Sequence, residues 1–309
     1  MNVVFMGTPE FADRSLRRLL SSRHRVAAVY TRKDTPKNRG MKMTMPPVKE
    51  TALAAGIPVC QPESLRDAEV LESLRAFAPD IIVVTAYGLF LPKAILELPR
   101  YGCINVHASL LPKYRGASPI NAVILEGERE SGVTIMQMAR GMDTGDMLLS
   151  RAVPLAEDET YGRLHDRLAD LGGELLLEAL DQIEAGTAVA VPQDESLVCY
   201  AHLIRNSDAF VSFAQPAEIV SRKIRSYDPV PGAFAFLGEE KIKLFSAVWH
   251  DGSCTKAPGE ILECGRHGLL VQAEGGTVCI REVQLSGKKR MAADACFRGR
   301  PTLLQEKFK

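Results

Sequence analysis

The sequence predicts an α/β fold with a mostly parallel sheet, followed by a small β-barrel of the oligonucleotide-binding (OB-like) kind. Three observations lead there. Up to about residue 187, short apolar runs alternate with stretches of helical periodicity, the pattern of a parallel sheet covered by helices. Beyond residue 206, one helix and then short strands split by Gly and Pro replace that alternation, as in small barrels. The chain has 309 residues, a length suited to two domains. The expected division is residues 1–187, a linker over 188–205, and a second domain over 206–309.

Val3, Val4, Phe5 and Met6 run into Gly7 as a first buried strand,. Thr8 is expected to cap a helix whose first residue is Pro9,. Leu16, Leu19 and Leu20 supply its inward face. Residues 26–31 read as a second strand. From Arg32 to Pro47 the chain is polar, basic and aperiodic. A loop of that length in a compact α/β unit points to function. Helices follow over 48–55 and 67–78, then a strand over 81–84, a short helix opened by Pro92, and a strand ending in Asn105 and His107. Ser118-Pro119 opens another helix. Residues 133–138 and 147–153 read as two strands joined by a Gly-rich loop. Thr160 begins a long helix carrying Leu164, Leu168, Leu171 and Leu175 at helical spacing,. In the second half a helix is expected over 215–226 and strands over 233–237, 241–248, 260–264, 268–271 and 277–284.

Hydrophobic residues make up 46% of the chain and charged residues 25%, ordinary for a soluble enzyme. No apolar run approaches the roughly 20 residues that span a bilayer, and the start lacks the features of a signal peptide. A cytoplasmic protein without membrane contact is expected. The seven cysteines include no C-x-x-C pair, which points to neither a disulfide framework nor a structural zinc site. The net charge is +0, yet Arg32, Lys33, Lys37, Arg39, Lys42 and Lys49 face only Asp34 within one segment. A second basic segment runs from Lys288 to Lys309. Such segments are either solvated loops or, on one face, contacts for a polyanion.

The first strand is followed by Gly7-Thr8-Pro9-Glu10-Phe11-Ala12, which is not G-x-G-x-x-G and argues against a nicotinamide enzyme. Asn105 and His107 are two apart, so on a strand they share a face. An amide there can hydrogen-bond a reacting carbonyl, and an imidazole can move a proton near neutral pH. Ser109, Leu110, Leu111 and Pro112 follow at once, and Pro112 and Gly116 bend the loop. The Gly141–Asp146 segment is either a solvated turn or the source of a carboxylate for the imidazole. Asp143 is preferred over Asp146, which begins the next strand. Tyr87, Gly88, Leu89 and Phe90 are either a plain strand-to-helix link or a wall for a flat ligand. Lys288, Lys289 and Arg290 form a basic turn, which on an oligonucleotide-binding barrel would contact phosphate.

These residues together resemble the methionyl-tRNA formyltransferase family, within the wider 10-formyltetrahydrofolate-dependent formyltransferases. The resemblance rests on residues 5–12, residues 105–116, Asp143-Thr144-Gly145-Asp146 and residues 287–291, and runs along nearly the whole chain. It implies a Rossmann-like folate domain followed by a barrel that helps hold tRNA. It implies catalytic roles for Asn105, His107 and Asp143, and folate contacts at Ser109, Leu110, Leu111 and Pro112 with Tyr87, Gly88, Leu89 and Phe90 nearby. Arg39-Gly40 matches an arginine–glycine pair that the family carries in its tRNA-entering loop. Of the two lysines that often follow, Met41 replaces the first and Lys42 keeps the second. The implied substrates are 10-formyltetrahydrofolate and initiator methionyl-tRNA, with no metal and a monomeric chain. The Asn-x-His and Asp set identifies the donor better than the acceptor, so formyl transfer to a small amine, such as a nucleotide-linked amino sugar, is the alternative.

Overall fold

The computed structural model describes residues 1–37, 42–252 and 256–309. These pack as two units, one of residues 1–116, 131–153 and 165–200, the other of 117–130, 154–164 and 201–309.

The first unit is built on seven strands: β1 (Asn2–Gly7), β2 (Arg25–Tyr30), β3 (Val59–Cys60), β4 (Ile81–Thr85), β5 (Cys103–His107), β6 (Glu130–Gln137) and β7 (Met147–Pro154). Their spatial order is β7-β6-β5-β4-β1-β2-β3. The pairs β1–β2, β1–β4, β2–β3 and β4–β5 are parallel, and β6 joins β5 antiparallel. The sheet is therefore mostly parallel, as the alternation predicts. β4 reads Ile-Ile-Val-Val-Thr and is buried throughout; a β-branched run covered on both faces suits a central parallel strand. The chain leaves β1 toward β2 and β3, then returns to the other side of β1 as β4. The carboxyl ends of β1 and β4 thus flank the switch point where open α/β sheets form a crevice.

Helix α1 (Glu10–Leu20) carries Glu10 and Asp13 in its first turn and Arg17 and Arg18 in its last, which complements the helix dipole. Leu16 and Leu19 face the core. The expected Thr8 cap does not form. Pro9 is the N-cap, and the Thr8 hydroxyl instead donates to the Tyr87 carbonyl at 3.3 Å and accepts the Arg32 N–H at 3.4 Å. The expected loop over 32–47 contains a short ribbon pairing Thr35 with Thr44 and Pro36 with Met43. Two three-residue strands are too short to show periodicity. Helices α2 (Pro47–Ala54), α3 (Ala68–Ala76) and α4 (Lys93–Leu96) complete the connections.

In the second unit, helix α5 (Pro119–Glu126) has Ser118 at its N-cap, without a side-chain bond to the helix. Its Asn121 side chain donates to the Ser226 carbonyl at 2.6 Å, and the Ser226 hydroxyl donates back to the Asn121 carbonyl at 3.0 Å. Helix α6 (Tyr161–Ala185) buries Leu164, Leu168 and Leu175 completely, and its residues from 165 onward belong to the first unit. After helix α7 (Ala217–Ser226) come β8 (Phe234–Leu237), β9 (Glu240–Asp251), β10 (Ile261–Gly265), β11 (Gly268–Ala273) and β12 (Gly276–Leu285). They pair antiparallel in the order β8-β9-β12-β11-β10. Phe308 bridges to Leu237 and Lys307 to Glu260, so the C-terminal segment joins the two edges in barrel fashion. The core gathers Val220 and Ile224 of α7, Leu244, Ile280 and Phe297. Phe297 lies on helix α8 (Ala293–Arg298), whose six residues carry no readable helical period.

Candidate active site

Asn105 and His107 occupy the carboxyl end of β5, where parallel pairing sets Asn105 beside Val84 and antiparallel pairing sets His107 beside Thr134. Asn105 is half-buried and His107 is 5% exposed. His107 Nε2 lies 3.0 Å from the Tyr114 carbonyl oxygen. A carbonyl only accepts, so Nε2 carries the hydrogen and Nδ1 is the ring atom turned to the site.

Asp143 reaches the same place from the loop between β6 and β7. Its Oδ2 accepts the Gly116 backbone N–H at 2.9 Å and lies 3.8 Å from His107 Nδ1. Its Oδ1 lies 3.5 Å from Asn105 Nδ2. The amide, imidazole and carboxyl therefore converge. Asp143 holds φ at 53°, a left-handed conformation that costs a non-glycine residue energy and persists only where neighbours enforce it. Gly145 is one of those neighbours: a Cβ there would collide with the Gln137 carbonyl oxygen, so the loop lies flat against the end of β6. Asp146, the rival carboxylate, is exposed.

The loop after His107 is fixed from within. Thr134 Oγ1 donates to the Ser109 carbonyl at 2.7 Å and accepts the Leu111 N–H at 3.1 Å. The Ser109 hydroxyl donates to the Lys113 carbonyl at 2.7 Å, so it shapes the loop. Leu111-Pro112 is a cis peptide. Leu110 is half-buried and lies over Gly132, where a Cβ would meet its side chain. Tyr87 is 2% exposed and sits in the core with Met6 and Leu91. Burial pushes its phenol up to about 12,, and its hydroxyl has no hydrogen-bond partner among the described residues. What Tyr87 offers at the sheet edge is main chain. Gly88 is exposed, Leu89 half-buried and Phe90 72% exposed. The links leaving β4 and β5 thus leave the Leu89, Phe90 and Leu110 side chains partly or largely open.

The basic residues fall into three groups. Arg39 lies outside the described residues, and so does the side chain of Lys42. Lys288 and Lys289 are exposed. Arg290 is engaged inside its own unit: it pairs with Asp228 at 2.6 Å and Glu282 at 2.5 Å and lies 4.2 Å from the Phe245 ring centre. Pairing with Arg290 holds the Glu282 carboxyl below its ordinary range. Among the described residues no His, Cys, Asp and Glu side chains group as a metal site, and no helix is long and apolar enough to cross a membrane.

Residues 1–180 match the formyl transferase family, and residues 203–301 match the formyl transferase C-terminal domain. The chain belongs to the formyl transferase family. A methionyl-tRNA formyltransferase from Citrifermentans bemidjiense is 49% identical over 293 residues, covering 95% of this chain and 92% of that one. One from Moorella thermoacetica is 45% identical and covers 97% of both. Among solved structures, HypX from Aquifex aeolicus in complex with tetrahydrofolic acid superposes with a TM-score of 0.66 at 19% identity. It covers 96% of this chain, which spans 46% of HypX; at that identity the likeness bears on the fold alone. Thr134, the Tyr114 carbonyl and the Gly116 N–H were not marked by the sequence. The last two are main-chain groups, which no residue type announces.

Proposed function

We propose that this formyl transferase moves the formyl group of 10-formyltetrahydrofolate to the α-amino group of methionine on initiator tRNA, for translation initiation. The convergence of Asn105, His107 and Asp143 at the carboxyl edge carries the transfer chemistry. The near full-length similarity to methionyl-tRNA formyltransferases supports the acceptor. Residues 1–187 are assigned the catalytic role, 188–205 the link, and 206–309 the tRNA-holding role, with a monomeric chain working in the cytoplasm.

A free α-amino group has a pKa of about 8, so a useful fraction is neutral at pH 7. The amine therefore needs little help to become a nucleophile. The difficult requirement is charge: as the amine adds to the formyl carbon, negative charge grows on the formyl oxygen. Asn105 Nδ2 donates a hydrogen bond to that oxygen, and His107, protonated at Nδ1, stabilises it. Asp143 orients His107 and takes up the amine's proton for delivery to the leaving folate nitrogen. The apolar surface at Leu89, Phe90 and Leu110 receives the folate rings. Arg39, Lys42, Lys288 and Lys289 are assigned to tRNA phosphates, with Arg290 supporting that turn.

The test follows a radioactive formyl group from 10-formyltetrahydrofolate in the presence of charged initiator tRNA and of nucleotide-linked amino sugars. Label on the methionine of the tRNA is expected. Label on a small amine instead, or release as free formate, overturns the reading.

A further inference from the structure

Gln193 lies about fifty residues from the Asp143 loop in sequence, yet both hydrogens of its amide are spent there. Nε2 donates to the Asp143 carbonyl at 2.8 Å and to the Gly145 carbonyl at 2.7 Å. Its Oε1 accepts from Arg115 Nε at 3.0 Å. Only this orientation of the amide is consistent, because a flip would set its oxygen against two carbonyls and its NH2 against a guanidinium. The Arg115 side chain is 1% exposed and forms a two-point pair with Glu195 at 2.8 and 3.3 Å. The two bonds to Glu195 hold the buried Arg115 guanidinium independently of the glutamine, so the amide is backed by an oriented donor,.

Residues 114–116 serve the same end in sequence: Tyr114 O holds His107, the Arg115 side chain holds Gln193, and Gly116 N–H holds Asp143. Asp143 is thus gripped on its carboxylate by Gly116 and on its main chain by Gln193, at the residue with the left-handed backbone. We propose that Gln193, seated on Arg115 and Glu195, is the positioning residue that sets the Asp143 carboxylate against His107 and Asn105. It acts through the loop backbone and touches no substrate. The inference rests on the formyl-transfer reading for its kinetic consequence, and on geometry alone for its structural one.

Two variants and one double variant test it. Gln193→Ala removes both bonds to the loop. Gln193→Glu keeps an acceptor for Arg115 but turns a carboxylate oxygen toward two carbonyls, so it tests the clamp should the alanine variant fail to fold. Both are expected to lower kcat about tenfold to a hundredfold, the scale of a displacement near 1 Å, with KM for folate and tRNA within about twofold. In an Asp143→Asn background, Gln193→Ala is expected to add little further loss, because the clamp acts only through Asp143. Hydrogen exchange of the 141–146 segment is expected to speed up in both single variants, a readout that needs no turnover. Unchanged exchange overturns the proposal. So does wild-type kcat in Gln193→Glu, or an equal kcat loss from Gln193→Ala with and without Asp143. Faster exchange in a chain whose wild type transfers no formyl to tRNA leaves the clamp standing and removes only the assigned reaction.

Discussion

His107 Nδ1 lies 3.8 Å from Asp143 Oδ2, while its Nε2 is held by the Tyr114 carbonyl at 3.0 Å. The ring is thereby fixed at one nitrogen, and the other faces the carboxylate. His107→Ala removes a donor to the formyl oxygen and is expected to lower kcat on the order of a hundredfold or more. Asp143→Asn keeps the Gly116 bond but cannot take up a proton, and is expected to lose kcat on the same scale. Steady-state kinetics with a gel shift on initiator tRNA checks both. Affinity should stay within a few fold, and near-normal turnover in both variants would remove these two residues from the chemistry.

The loop itself offers a sharper contrast. A Cβ on Gly145 would run into the Gln137 carbonyl, which is backbone and cannot yield. A Cβ on Gly141 would press on the Thr144 side chain, with Oγ1 at 2.5 Å, Cγ2 at 2.8 Å and Cβ at 3.2 Å, which can give way by turning and a small shift where the carbonyl of a paired strand cannot. Gly145→Ala is therefore expected to displace Asp143 and cut kcat about tenfold or more, whereas Gly141→Ala should stay within about threefold. Equal kcat in the two variants would show that the loop's seat on β6 does not matter.

This geometry was partly legible in the sequence. Asn105 and His107 stood out because a strand repeats every two residues, and the apolar Ile81–Thr85 run marked the neighbouring strand. The Gly141–Asp146 turn suggested a carboxylate, and Asp143 is preferred there because Asp146 begins the next strand; the bond from the Gly116 N–H to the Asp143 carboxylate is what the sequence could not show. Thr8 looked like a cap because caps are local, whereas its partners Tyr87 and Arg32 arrive from distant strands. Gln193 was invisible for the same reason: its partners are backbone carbonyls of a loop far away in the chain. The ribbon at Thr35–Lys37 and helix α8 escaped because elements of three and six residues show no period.

His24 gives the first unit a pH dependence. The ring is 5% exposed, and burial holds its pKa below the ordinary 6.5,, although Asp181 lies 3.4 Å away. Below that pH the unfolded chain binds a proton that the folded chain resists. Stability is thus fully present above 6.5 and declines as pH falls through the window beneath it. His24→Gln has no proton to bind and is expected to flatten that decline. Urea melts between pH 7.5 and 5.5 check it; an unchanged slope in the variant would show that His24 does not drive it.

Arg290 and its neighbours Lys288 and Lys289 are adjacent in sequence but are expected to respond differently to substitution. Asp228 keeps 4% of its side chain exposed and is paired with Arg290. Arg290→Ala leaves that carboxylate without a cation, held by the Ser246 N–H at 2.9 Å and the Ser246 hydroxyl at 3.5 Å. With the Arg290 side chain 31% exposed, a loss of about 1–3 kcal/mol is expected, below the full cost of breaking a buried pair. Lys288 and Lys289 are solvated, so replacing both with Ala should leave the melting temperature within about a degree. That double variant should instead weaken initiator tRNA binding and make its dependence on log salt shallower, by about one unit for each phosphate that is no longer neutralised. Arg290→Ala, measured where it remains folded, should lose tRNA affinity only insofar as the turn is disturbed. Wild-type affinity and salt slope in the lysine variant would free the turn from any part in holding RNA. A stable Arg290→Ala with a reduced salt slope would move the phosphate contact onto Arg290 itself.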